Sequence, residues 1–156
     1  MSHTESARQA ALRLLARRDH SLAELKLKLQ QRGFDKITIS TVLELLQQNN
    51  LLNQPRFIEN YIHFRKQKGW GPLCIQQELI ARGIAEESIE EKLNIDDNAW
   101  LQEATKVLQK KFKHNSPSDF KAWTKQARFL QYRGFTKEQI REVLVPPFEK
   151  GRLGGI

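Results

Sequence analysis

The sequence predicts an all-α protein: three tandem three-helix repeats of about 50 residues each, stacked into an elongated, curved array. Three observations predict it. An Arg-Gly-apolar tripeptide occurs as Arg32-Gly33-Phe34, Arg82-Gly83-Ile84 and Arg133-Gly134-Phe135, so the glycines at 33, 83 and 134 stand 50 and 51 residues apart. The surroundings repeat too: Leu29, Leu79 and Leu130 precede each glycine by four positions, Ile39, Ile89 and Ile140 follow by six, and Leu43, Leu93 and Leu144 by ten. Apolar residues between these markers recur at helical spacing. Self-similarity at a fixed period is the mark of repeat architecture, and a three-helix unit buries too little surface alone, so neighbours should stack.

The first repeat (1–53) opens with a helix over Glu5–Arg18. Ser21 with Glu24 forms a capping-box pattern, and Leu22, Leu25 and Leu29 then share one helical face. Gly33 ends that helix, because glycine enters the left-handed region without steric cost, and Phe34 behind it packs back. Ile37-Thr38-Ile39-Ser40-Thr41-Val42 alternates like a β-branched strand. Helix is still predicted, since Ile39 and Leu43 align with Ile89/Leu93 and Ile140/Leu144 in plainly helical contexts. The second repeat (54–95) has a helix over Pro55–Lys68, a tight turn at Gly69-Trp70-Gly71, and Pro72 opening the next helix. The third (96–146) has the clearest amphipathic stripe, Trp100, Leu101, Ala104, Val107, Leu108 and Phe112 along Asn98–Lys113. Ser116-Pro117 predicts a cap and a first-turn proline, Phe120, Trp123, Ala127 and Leu130 predict a buried face, and Thr136 with Gln139 a second capping box. Nine helices result, followed by a tail (147–156) whose Phe148–Ile156 stretch has no helical pattern.

Chemistry is sparse. The lone Cys74 excludes an internal disulfide and a multi-cysteine zinc site, and reads as a small half-buried helix residue. His3, His20, His63 and His114 have no metal-site spacing and read as solvated surface histidines. The acidic pairs Glu86-Glu87, Glu90-Glu91 and Asp96-Asp97 read as helix-start dipole complements and a solvated face. Gly69-Trp70-Gly71-Pro72 lacks both the spacing of a phosphate loop and a preceding strand. No nucleophile–base pair survives, so no enzyme, cofactor or metal is expected. The opening MSHTESARQA has no apolar signal core, and no apolar run reaches the ~18–20 residues of a membrane span. A soluble, cytoplasmic monomer is expected.

What remains is charge. The chain carries +8, distributed as +3 over 1–50, −2 over 51–100 and +7 over 101–156, which places a basic surface mainly at the two ends. The clusters are Arg17-Arg18; Lys26, Lys28 and Arg32; Arg65, Lys66 and Lys68; Lys110, Lys111 and Lys113; and Lys121, Lys125 and Arg128, the last spaced i, i+4, i+7 on one face. Singly, each fits a solvated face. Together they favour a polyanionic partner. Trp70, beside the second-repeat cluster, fits a core wedge between repeats, with a stacking platform for a base or partner side chain as the second reading.

The string Gly69-Trp70-Gly71-Pro72-x-x-Ile75-x-x-Glu78-Leu79-x-x-Arg82-Gly83-Ile84 has a first-repeat counterpart, Ser21-x-x-Glu24-Leu25-x-x-Lys28-Leu29-x-x-Arg32-Gly33-Phe34, and follows Asn50-Leu51-Leu52-Asn53-x-x-Arg56-Phe57. These residues resemble the RecX family of bacterial recombination regulators from about residue 7 to residue 145. Trp70 departs from the tyrosine common there. The resemblance implies a non-enzymatic protein that binds the RecA recombinase and its filament on DNA. It further implies limits on filament growth, ATP hydrolysis, strand exchange and co-protease activity, with weak direct DNA binding in some members. It transfers no functional residues position by position. A stand-alone basic DNA-binding helical module is the alternative.

Overall fold

The computed structural model describes residues 2–113 and 116–147. Among them are nine helices and no strand: α1 (His3–Arg17), α2 (Leu22–Gln31), α3 (Lys36–Gln48), α4 (Gln54–Gln67), α5 (Pro72–Ala81), α6 (Glu86–Glu90), α7 (Ala99–Phe112), α8 (Phe120–Arg133) and α9 (Lys137–Val143). The strand-like segment 37–42 lies within α3, with Ile39 and Val42 buried three residues apart on one helical face. His114 and the tail stretch Phe148–Ile156 lie outside the described residues.

Both expected capping boxes form. Ser21 Oγ accepts from Glu24 N at 3.1 Å while Glu24 Oε1 accepts from Ser21 N at 3.1 Å. Thr136 and Gln139 make the same reciprocal pair at 3.1 and 2.9 Å. Ser116-Pro117 does not cap α8. Asp119 does, its Oδ1 accepting from Ala122 N at 2.7 Å, because a carboxylate adjoining the first turn satisfies its orphan N–H groups better than a serine set further back. A second correction concerns the α8 face: Leu130 is fully buried, but Phe120 is 61% exposed, its ring stacked on Trp123 at 5.8 Å.

Each Arg-Gly site closes a helix by one bonding scheme. Phe34, Ile84 and Phe135 donate back to the carbonyls of Leu29, Leu79 and Leu130 at 3.3, 3.2 and 3.1 Å, while the glycines at φ +91, +83 and +95° donate to residues three back. This 6→1, 5→2 pair is the Schellman closure, and it explains the leucine four positions before each glycine: its carbonyl is the acceptor and its side chain is fully buried.

The chain forms two compact units, Met1–Tyr61 with Glu78–Lys92, and Ile62–Gln77 with Leu93–Ile156, so the middle three helices are divided between them. In the first, α1, α2 and α3 pack on one another around Ala7, Ala10, Ala11 and Leu14 of α1, with Leu25, Leu29, Ile39, Val42 and Leu46 opposite. Alanines on α1 permit close helix approach. The end of α5 joins this unit: Ser21 Oγ donates to Arg82 O at 2.8 Å, and a Cβ on Gly83 would lie 2.5 Å from that of Ala23. In the second unit α7, α8 and α9 pack together. There the end of α8 meets the start of α5, with Gly71 N and Leu73 N donating to Arg133 O and Gly134 O at 2.6 and 2.9 Å. The Arg-Gly element is thus both a helix stop and a joint. Only Gly33, which has nothing within 4 Å of a built Cβ, is a stop alone.

His20 contradicts the expectation of a surface histidine. It is 2% exposed, its Nδ1 donates to Arg18 O at 2.9 Å, and Nε2 has no hydrogen-bond partner among the described residues. Burial lowers its pKa below the ordinary 6.5, helped by the charges of Arg18 and Lys28 and opposed by the Arg18 carbonyl and Glu24. The folded state therefore binds a proton on His20 less readily than the unfolded chain does, so this contribution to stability is complete above the unfolded pKa and is lost as pH falls through it. Melting followed by circular dichroism from about pH 7.5 to about 5.5 should show this loss, with a slope no steeper than about 1.4 kcal/mol per pH unit. His20→Gln should flatten the profile, and an unchanged slope in that variant would assign the loss to other groups.

Candidate functional site

In the first unit the candidate cations do not converge. Arg18 is engaged by Glu24 at 3.3 Å, and Glu24 also faces Arg82 at 3.5 Å. Burial pushes the Glu24 carboxyl up, but the Ser21 N–H and the two guanidinium groups outweigh it and hold its pKa below the usual value. Arg82 itself lies over Tyr61 and Phe57, with centroids at 4.7 and 5.9 Å. Arg17, Lys26 and Arg32 are exposed and Lys28 is half-buried. Counted over the whole sequence, eleven Lys/Arg balance eleven Asp/Glu in this unit, whereas the second holds fifteen against seven, which is +8. The basic character expected at both ends of the chain belongs to one unit, because the acidic residues of 78–92 fold with the first repeat.

In the second unit the candidates of 65–70 meet aromatic rings, as does Lys111, whose Nζ lies 5.8 Å from the Phe129 centroid. Trp70 is half-buried and is not a core wedge: the guanidinium groups of Arg65 and Arg133 lie 4.7 and 4.8 Å from its centroid, and Tyr132 lies at 5.9 Å. Lys66 Nζ sits 4.9 Å from the Trp100 ring and Lys68 Nζ 5.5 Å from that of Phe64. Such pairs contribute about 0.5–1 kcal/mol each at exposed sites, so these cations help to hold the unit together as well as charge it.

Arg133 organises the turn. It donates from one Nη to the carbonyls of Lys68 and Gly69 at 3.1 and 3.3 Å and also lies over Phe129 at 5.1 Å. Beside it opens a cleft of about 330 Å³, lined by Lys68, Lys106, Lys110, Lys111, Phe129 and Arg133 among others, with no carboxylate in its lining. Lys106 pairs with Glu103 at 3.5 Å. Like charge gathered round a concavity opposes folding by mutual repulsion and concentrates field for an anion. Lys113 caps α7 in the left-handed conformation (φ 49°) and is exposed, outside this lining. Lys121, Lys125 and Arg128 do share a face of α8, all exposed, beside Phe120 in an open hollow.

Sequence reasoning missed Lys106, Arg133 and Phe129. The i, i+4 spacing of Lys106 and Lys110 was a usable signal. Arg133 was hidden by its place in the Arg-Gly repeat, where it read only as the end of a helix.

Among the described residues no cluster of three or more His, Cys, Asp and Glu could hold a metal ion, and no helix is long and apolar enough to cross a membrane. Glu86 and Glu87 occupy the first turn of α6, and Asp97 Oδ1 accepts from Ala99 N at 2.9 Å at the start of α7, as dipole complements should. Cys74 is half-buried, its Sγ donating to Tyr132 O at 3.4 Å.

Known proteins resemble this chain over most of its length. Residues 7–46, 53–93 and 99–144 match the profiles of the first, second and third three-helix domains of RecX, in that order. The regulatory protein RecX of Halorhodospira halophila is 44% identical over 151 residues, covering 97% of this chain and 94% of that protein. That of Pseudomonas putida KT2440 is 38% identical over 137 residues, 88% of each chain. The crystal structure of RecX from Lactobacillus salivarius superposes with a TM-score of 0.78 at 20% identity, covering 99% of this chain and 98% of that one, a likeness of fold.

Proposed function

The chain belongs to the RecX family of regulatory proteins, and we propose that it binds the RecA filament on DNA and limits its growth. RecX proteins are non-enzymatic modulators of RecA. Inhibition of RecA ATP hydrolysis, strand exchange and co-protease activity follows if new subunits cannot add to the filament. The observation that carries this reading is the 44% identity to a RecX protein over nearly the whole of both chains. The cation clusters named above supply the electrostatic part of the interaction, with those of the second unit foremost, and the protein acts as a monomer.

Sub-stoichiometric protein should slow RecA ATP hydrolysis on single-stranded DNA, and hydrolysis unchanged at equimolar protein would sink the proposal. Titrating the same assay against salt separates the two sources of affinity, since phosphate contacts weaken steeply with salt while apolar protein contacts do not. A second reading, direct DNA binding without RecA, is favoured by one observation: the carboxylate-free cationic cleft of the second unit.

A further inference from the structure

We propose that the cleft lined by Lys68, Lys110, Lys111 and Arg133 is a binding site for a single-stranded phosphodiester chain. The proposal deepens the reading above and rests on it, because it gives a filament regulator a place to meet the strand that the filament holds.

Charge identifies the ligand as anionic. The lining contains five cations counting Lys106 and no carboxylate. Lys106 has Glu103 as partner, whereas among the described residues no carboxylate pairs with Lys68, Lys110 or Lys111. Arg133 is held by the carbonyls of Lys68 and Gly69, so one wall of positive charge is fixed before a ligand arrives.

Size and chemistry narrow the class. About 330 Å³ lies at the lower end of the ~300–1,000 Å³ usual for small-ligand pockets, enough for a short stretch of one strand but not for the body of a duplex. Phe129 and Val107 give the cleft apolar surface. Aromatic rings flank its cations: Lys68 Nζ lies 5.5 Å from the centroid of Phe64, which is 55% exposed, and Lys111 Nζ lies 5.8 Å from that of Phe129. Cations that track phosphates, interleaved with partly exposed rings, suit unstacked bases. A duplex hides its base faces, and an acidic peptide has none to offer.

The test is fluorescence anisotropy of the full chain with a labelled oligo(dT) of about 20 nucleotides, in the absence of RecA. Replacing Lys68, Lys110 and Lys111 together by Gln should weaken binding at low salt by about tenfold or more. It should also flatten the log–log salt slope by about 2, at roughly 0.7 for each phosphate no longer neutralised. The equally charged triple Lys36→Gln, Lys137→Gln, Arg141→Gln should stay within about threefold of wild type, because all three residues are exposed and none lines the cleft. Equal losses in the two triples would overturn the site in favour of diffuse attraction. Equal affinity for the matching duplex, or equally effective competition by a poly-glutamate peptide, would overturn the ligand class. RecA ATPase inhibition by the wild-type protein, measured in parallel, keeps the outcomes distinct: the cleft can fail while inhibition stands, whereas absent inhibition removes the family-based reading whatever the oligonucleotide does.

Discussion

Replacing Gly83 by valine is expected to cost about 3 kcal/mol or more, a large part of the ~5–15 kcal/mol that holds a domain folded. Two effects combine. The residue sits at φ +83°, where a side chain costs about 1–2 kcal/mol and a β-branched one more. Its Cβ would also lie 2.5 Å from Ala23 Cβ, so the start of α2 must shift, an overpacking cost of about 1–3 kcal/mol. Gly33 isolates the first effect. It closes its helix in the same way at φ +91° with nothing within 4 Å of a built Cβ, so Gly33→Ala should cost about 1 kcal/mol and Gly83→Ala distinctly more. Combining Gly83→Ala with Ala23→Gly should recover about 1 kcal/mol of coupling in a double-mutant cycle, read from urea unfolding by far-ultraviolet circular dichroism. Equal costs at Gly33 and Gly83, or no coupling to position 23, would show that the joint is unimportant and only the helix stop matters.

That contrast shows what the sequence made legible. The Arg-Gly repeat revealed the helix stops, because glycine's backbone freedom is a property of the residue itself and the buried leucine and isoleucine follow from helical period. It could not reveal that two of the three stops are also joints. Gly33, Gly83 and Gly134 look alike in the chain, and only the fold sets the second and third against Ala23 and Cys74. Caps were readable where Ser or Thr had a Glu or Gln three residues on. They were missed at Asp119, where a nearer serine–proline pair offered a plausible competing start.

The candidate site was legible in composition and not in place. Lys110 and Lys111 were visible as a cluster, yet their neighbours Lys68 and Arg133 come from segments about forty and twenty residues away in sequence, a proximity that period alone does not encode. Charge balance failed in a similar way. Residues 1–50 are basic when taken by themselves, but the acidic stretch near α6 folds with them and brings that unit to neutrality. His20 looked like a solvated turn residue because polarity is local information and burial is not.

The largest functional effect is expected from reversing the α8 face, with Lys121, Lys125 and Arg128 all changed to Glu. The three side chains are exposed, and among the described residues none is ion-paired, so each change should move stability by less than about 0.5 kcal/mol. Lys121 lies in the first turn of α8, where an acidic residue even complements the helix dipole. Three cations become three anions, which takes the chain from +8 to +2 and concentrates the whole change in the basic unit. The concentration needed for half-inhibition of RecA ATP hydrolysis should rise by about tenfold or more at low salt, and the gap should narrow as added salt shortens the screening length toward ~8 Å or less. The matched reversal of Arg17, Lys26 and Arg32 changes net charge equally but falls in the neutral unit, so its effect should be several times smaller. Equal effects from the two reversals would mean that net charge, rather than its placement on α8, governs the encounter. A melting temperature lowered by many degrees in the α8 variant would mean that this face supports the fold, and the inhibition assay would then say nothing about a partner.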